Sequence, residues 1–198
     1  MALYGIYEGG KVIAGFASPM TVKSNQPVSV SDTLSLKRQI SKRAVQRWEI
    51  TTALEPLSYD SNTLFVNLVT KGFSETVSVL MPQNYGAKLK RTATGNFTAT
   101  GGVNATQLTT SAITGIIPAG TFIKFANHSK VYMLTANLTS AAVLNIFPSL
   151  MTAVSATAFT YKDDVIMSAL YDTEVTRGMV FSDGILMDMG TVTLIEKL

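Results

Sequence analysis

Cysteine is absent from this 198-residue chain, which removes disulfides, thiolate metal sites and cysteine nucleophiles in one step. Histidine occurs once, at His128, and tryptophan once, at Trp48. Between Glu75 and Asp163 there is no acidic residue, although Lys88, Lys90, Arg91, Lys124, Lys130 and Lys162 are spread through that interval. No apolar run approaches the ~18–20 residues needed to cross a bilayer, so membrane insertion is not expected. The opening MALYGIYEGGKVIAGF has no basic region followed by a continuous apolar block, and it does not read as a secretory leader. Neither GxGxxG nor GxxxxGK(S/T) occurs, so the usual phosphate cradle is missing.

These absences bear on catalysis. A Ser–His–Asp arrangement needs His128 as its base, with a nucleophile and an orienting acid beside it. The neighbours of His128 include no acid, and it reads as a polar turn residue on a hairpin. A metal site would rest on one histidine and the pair Asp163 and Asp164, which reads as a solvated strand start. Thirteen acids offer many pairs for glycoside hydrolysis, but no local context singles one out. No catalytic, cofactor-binding or metal residue is assigned, and the chain is not expected to be an enzyme. The sequons at Asn96, Asn104, Asn127 and Asn137 read as a by-product of Asn- and Thr-rich composition.

What is present is a packable chain. Hydrophobic residues make up 46% and charged residues 15%, which excludes general disorder. Residues 44–54, AVQRWEITTAL, alternate with a period of two, placing Trp48 and Ile50 on one inward face with Gln46, Thr52 and Leu54. The preceding VSVSDTLSLKRQISKR alternates less cleanly and reads as either a hairpin partner or a long arm. In LSYDSNTLFVNLVTKG, capping candidates Ser58, Asp60 and Ser61 precede Leu64, Phe65, Leu68 and Val69 at helical spacing, and Gly72 supplies a stop. A strand follows with Val77 and Val79 on one face and Pro82 at its close.

From Gln83 the texture changes to Gly, Thr, Ala and Asn, then to a hairpin around residues 126–130 and an apolar strand ending at Pro148. Residues 83–152 therefore read as an inserted small β-barrel. Longer strands return after residue 153, with Asp183 and Gly184 as a short-turn signal and TVTLIEKL docking at the end of a sheet.

Charge is segregated. Residues 163–198 hold seven acids against Arg177 and Lys197, while Lys37, Arg38, Lys42, Arg43 and Arg47 form a run without an acid. That run reads as an arm meeting an acidic partner surface; contact with phosphates and a merely solvated face are the alternatives. Self-association of a basic face with an acidic one is the economical reading of the whole pattern.

The stretch GTFIKFANHSKVYMLTA followed by VLNIFPSL resembles the inserted small β-barrel of tailed-bacteriophage distal-tail and baseplate proteins. The flanking QRWEITTALEPLS, a helix, a strand and the ending DGILMDMGTVTLIE are similar to the tail-tube-like domain of the same proteins. The resemblance implies a mainly β fold: a tail-tube-like sandwich or barrel with one α-helix over residues 1–82 and 153–198, and the inserted barrel over 83–152. It further implies a virion structural protein made in the host bacterial cytoplasm and assembled as a ring around the tail axis, usually sixfold. Its partners would be copies of itself, the tail tube and the baseplate hub, with DNA passing through unread.

On that reading the assembly contacts are Lys37, Arg38, Lys42, Arg43 and Arg47 in the arm and Thr191, Leu194 and Glu196 in a terminal strand that completes a sheet. The hairpin bearing His128 would face outward. A tail-tube or tube-initiator role is the alternative within the class. Outside it stands a host-surface carbohydrate-binding module, for which Tyr85, Phe97 and Tyr132 are the candidate aromatics.

Overall fold

The computed structural model describes residues 4–32, 38–42, 45–56, 61–71, 75–139, 143–172, 180–182, 185–188 and 190–198. Strands β1 (Gly5–Glu8) and β2 (Lys11–Phe16) form a hairpin in which Glu8 faces Lys11. Its two-residue turn is Gly9 and Gly10, with φ of 59° and 87°, the positive pair that a type I′ turn demands. Next come β3 (Thr21–Asn25), β4 (Val28–Asp32), β5 (Arg38–Lys42) and β6 (Arg47–Pro56), then helix α1 (Ser61–Lys71) and β7 (Val77–Leu80). Helix α2 (Tyr85–Lys90) leads into β8 (Phe97–Gly101), β9 (Gln107–Thr110), β10 (Phe122–Phe125), β11 (Val131–Leu134), β12 (Val143–Phe147) and β13 (Val154–Thr160). The chain ends with β14 (Ile166–Tyr171), β15 (Val180–Ser182), β16 (Ile185–Asp188) and β17 (Thr191–Glu196).

The architecture is mainly β, two closed six-stranded barrels with one inserted in the other. The first barrel runs β17-β14-β7-β1-β2-β6 and closes by pairing β17 with β6. Its longest strand, β6, makes this possible. One edge pairs with β17 through Glu49 to Ala53, while the other is shared by β3 at Arg47 to Thr51 and by β2 at Leu54 to Pro56. The expected alternation holds along β6: Gln46, Trp48, Ile50, Thr52 and Leu54 are buried, and Val45 and Arg47 are exposed. Ile6, Ile13, Val77, Val79, Met167 and Leu194 complete this core.

The second barrel runs β10-β11-β12-β9-β8-β13 and closes by pairing β13 with β10. Phe97, Leu108, Ile123, Phe125, Tyr132, Leu144 and Phe159 fill it. It is inserted between β7 and β14, which are themselves neighbours in the first barrel. The insertion therefore costs the host barrel no strand pairing.

Four expectations need correction. The inserted barrel reaches Thr160, because β13 supplies its closing strand, so a boundary at residue 152 cuts it short. The terminal strand does not lie at the end of a sheet, since β17 is paired on both edges, to β14 and to β6. Of the apolar residues at helical spacing in α1, Leu64 is buried but Phe65 and Val69 are exposed, Asn67 is buried beside Leu64, and the Leu68 side chain lies outside those described. A second, six-residue helix, α2, was not legible from spacing. Asp183 and Gly184 lie outside the described residues; the strands flanking them pair with Ser182 opposite Ile185.

Candidate functional site

Two places concentrate polar chemistry or exposed surface: the junction of the barrels and the β4–β5 ribbon. At the junction, Gln83 follows β7 and reaches the edge of β10. Its Oε1 accepts the Phe122 backbone N–H at 3.0 Å, and its Nε2 donates to the carbonyls of Phe122 at 3.0 Å and Lys162 at 3.1 Å. One amide side chain thus does for Phe122 what a neighbouring strand would do. Lys124 donates to the Ile166 carbonyl at 2.8 Å across the same seam, and burial lowers the pKa of its ammonium.

Glu196, the last residue of β17, is 2% exposed. Its Oε1 accepts the Val131 N–H at 2.7 Å, and its Oε2 accepts the Trp48 N–H at 3.0 Å and the Lys130 ammonium. Lys130, also 2% exposed, donates in addition to Gln46 Oε1 at 2.8 Å, and Gln46 in turn donates to Ser24 Oγ at 3.1 Å. Burial pulls the Lys130 ammonium down, opposed by the Glu196 charge. A buried pair of this kind adds little net stability, yet loss of one partner is costly. It admits only the barrel orientation that brings Val131, Trp48 and Lys130 to one carboxylate.

The turn between β10 and β11 leaves Ala126 and Asn127 exposed, while Lys130 just behind it is buried against Glu196 of the first barrel. His128 is half-buried, with Nδ1 2.7 Å from Asn127 Oδ1 and Nε2 2.9 Å from the Tyr132 hydroxyl. Asn127 Oδ1 can only accept, so Nδ1 carries the proton and Nε2 receives the phenol O–H. The Met151 N–H donates to the same hydroxyl at 3.1 Å. Burial, then the Lys124 charge, lowers the His128 pKa, and burial pushes the Tyr132 phenol up to about 12. The cluster holds a neutral imidazole as a strut.

The ribbon differs in kind. Strands β4 and β5 form a two-stranded sheet of their own. Val28, Ser29, Val30 and Ser31 are all exposed, so neither face of β4 is covered among the described residues. Of the predicted contacts, Arg38 and Arg47 are exposed and Thr191 is exposed at the start of β17. Lys42 lies on β5, and Lys37 and Arg43 fall outside the described residues. Leu194 and Glu196 are buried in the first barrel and its junction, so their side chains are spent inside the chain and not on an outer surface. Gln83, Lys130 and Trp48 are the junction residues that spacing did not point to as a group. The only available signal was a lysine beside the lone histidine in a segment free of acids.

Of the three aromatics considered for sugar contact, Tyr85 is exposed, but Phe97 and Tyr132 are buried in the second barrel. They do not form one platform. A cavity of about 260 Å³ lies against α1, lined by Glu8, Asn62, Thr63, Val66, Asn67, Thr70 and Lys71. Lys71 donates to Glu8 at 2.9 Å and holds its carboxyl below the usual range, and Asn67 donates to the same carboxylate. Among the described residues there is no group of three or more His, Asp or Glu poised to hold a metal ion. None of the described helices is long and apolar enough to cross a membrane. No protein-family model matches the chain, and no curated protein matches it.

Proposed function

We propose that the chain is a structural subunit of a bacteriophage tail: a ring-forming distal-tail or baseplate component that joins the tail tube to the baseplate hub. The observation that carries the reading is the β4–β5 ribbon, exposed on both faces of β4. A lone two-stranded hairpin is marginal in water, so an apolar-bearing ribbon of this kind finds its stability against a partner. Beside it, β3 is paired on one edge alone among the described residues, and open edges call for cover. The order of elements, a barrel with a helix interrupted by a second barrel, agrees with the resemblance carried by GTFIKFANHSKVYMLTA and VLNIFPSL. In this role the subunit resides in the virion tail and contacts further copies of itself, the tail tube and the hub.

Negative-stain imaging of the purified chain, with localisation in intact tailed particles by antibody, tests the reading. Six-membered rings that vanish on Val28→Lys with Val30→Lys, together with label at the tube–baseplate boundary, are expected. Label confined to a host surface or capsid position, or a compact monomer that hydrolyses cell wall, would overturn it.

A further inference from the structure

We propose that His128 is a pH-sensitive latch at one end of the second barrel: on taking up a proton its Nε2 turns from acceptor to donor, and the connection between β12 and β13 is released from the Tyr132 hydroxyl. The device is independent of the assembly reading, since the bonds it uses all lie within this barrel.

Three connections meet at that end: the β8–β9 loop, the β10–β11 turn and the β12–β13 connection. Leu150 donates its N–H to the Ala105 carbonyl at 2.8 Å and accepts that of Asn104 at 2.7 Å, which fixes the first to the third. Side chains tie the second to the third. Asn127 Nδ2 donates to the Ala153 carbonyl at 3.0 Å, and the Tyr132 hydroxyl accepts the Met151 N–H at 3.1 Å. Between the buried Leu150 and Val154, residues Met151, Thr152 and Ala153 are exposed. His128 stands behind the Met151 tie, with Nδ1 on Asn127 and Nε2 on the phenol.

One proton upsets this arrangement. With a neutral ring the phenol donates one bond, to Nε2, and accepts one, from Met151. Imidazolium carries a proton on both nitrogens, so Nε2 then aims a second donor at the phenol oxygen and the phenol's own proton has to leave that line. Tyr132 is buried, and among the described residues its oxygen has no bond beyond these two. A buried O–H without an acceptor is costly. The bond that yields is that of Met151, because an N–H on an exposed segment can pass to water.

The groups packed around the ring favour its neutral form at the start of the titration. Burial and the charge of Lys124 on β10 both oppose the cation. Lys130, at the end of the same turn, is held by Glu196 of β17, whose carboxylate is thereby engaged. Residues 101–107 and 147–160 contain no ionisable side chain, so the other two connections and β13 bring no carboxylate to the imidazolium. The Phe125 ring, 5.6 Å away, attracts a cation weakly. Such a ring is a switch that stays shut at neutral pH and opens on mild acidification.

The test follows the full chain by NMR from pH 7.5 to pH 5, in wild type, His128→Gln and Tyr132→Phe. The His128 ring protons report the titration, and the Met151 amide reports the tie. In wild type, Met151 exchange with solvent, corrected for its intrinsic pH dependence, is expected to quicken by about five- to tenfold, the loss of one hydrogen bond, with the midpoint of the imidazole. His128→Gln, which takes up no proton, should hold Met151 protected throughout, and Tyr132→Phe should leave it unprotected at both ends. The wild-type titration decides by itself if a variant does not fold. Met151 protection unchanged while the ring titrates, a ring that stays neutral down to pH 5, or protection lost together with that of β6 and β17 would each overturn the latch. Equal loss of Met151 protection in a folded His128→Gln would do the same.

Discussion

Trp48 in the first barrel donates its indole N–H to the backbone carbonyl of Val131 in the second, at 2.9 Å and across 83 residues of sequence. The same ring stands edge-on to Phe122 at 5.0 Å and Phe147 at 6.3 Å. Its core thus continues from one barrel into the other. Phe122 and Val131 belong to the cluster that fills the first barrel although their strands belong to the second. The two barrels meet as packed solids rather than as beads on a linker.

Replacing Trp48 by Phe keeps most of the ring contact and removes the donor. A loss of about 1–2 kcal/mol is expected from the broken buried bond, against about 3–5 kcal/mol for Trp48→Ala, which also opens a cavity. Urea unfolding followed by circular dichroism measures both. Equal losses in the two variants would mean that the indole N–H contributes nothing of its own.

Lys130→Met leaves Glu196 charged and buried with only two backbone N–H donors. The expected cost is about 3–5 kcal/mol. Adding Glu196→Gln removes the uncompensated charge, so the double variant should recover part of that loss, with a coupling of about 1 kcal/mol or more. Additive losses would show that the pair does not act as a unit.

The His128 imidazole has its folded pKa below the ordinary 6.5, with burial as the larger cause and Lys124 the smaller. The unfolded chain then binds more protons in the window between the folded value and 6.5. The stability contributed by neutral His128 is complete above 6.5 and is lost as pH falls through the folded value. The stability gap between wild type and His128→Gln should therefore narrow from pH 7.5 to pH 5. A proton NMR titration midpoint at or above 6.5 would contradict burial and the Lys124 charge as the controlling influences on His128.

Gln83→Ala removes three hydrogen bonds at the seam and strands the Phe122 N–H. A loss of about 2–3 kcal/mol is expected, and the two barrels should gain freedom relative to each other. Small-angle scattering should register a broader distance distribution. Unaltered scattering with unaltered stability would assign the docking to Glu196 and Trp48 alone.

How much of this was legible beforehand varies by element. The faces of β6 were readable because a strand buried on one side must alternate, and even Gln46 and Thr52 followed the pattern into the interior. Val77 and Val79 behaved likewise. The packed side of α1 was not readable from its apolar residues, since Asn67 is buried by bonding Glu8 while Val69 is left exposed. The hairpin of His128 was found, but not the burial of Lys130 behind its turn, because that depends on a carboxylate 66 residues away.

Composition and period alone therefore determined a cysteine-free, mainly β chain with an inserted barrel, a basic arm and an acidic end. Those properties are local: alternation, turn residues and charge are written residue by residue. Tertiary structure decided the rest. It closed β17 onto β6, carried the inserted barrel on to β13, turned Lys130 inward onto Glu196 and left Tyr85 and Leu89 uncovered on α2. The physical reason is that a buried charge or an edge strand has no preferred place until its partner, distant in sequence, has been brought to it.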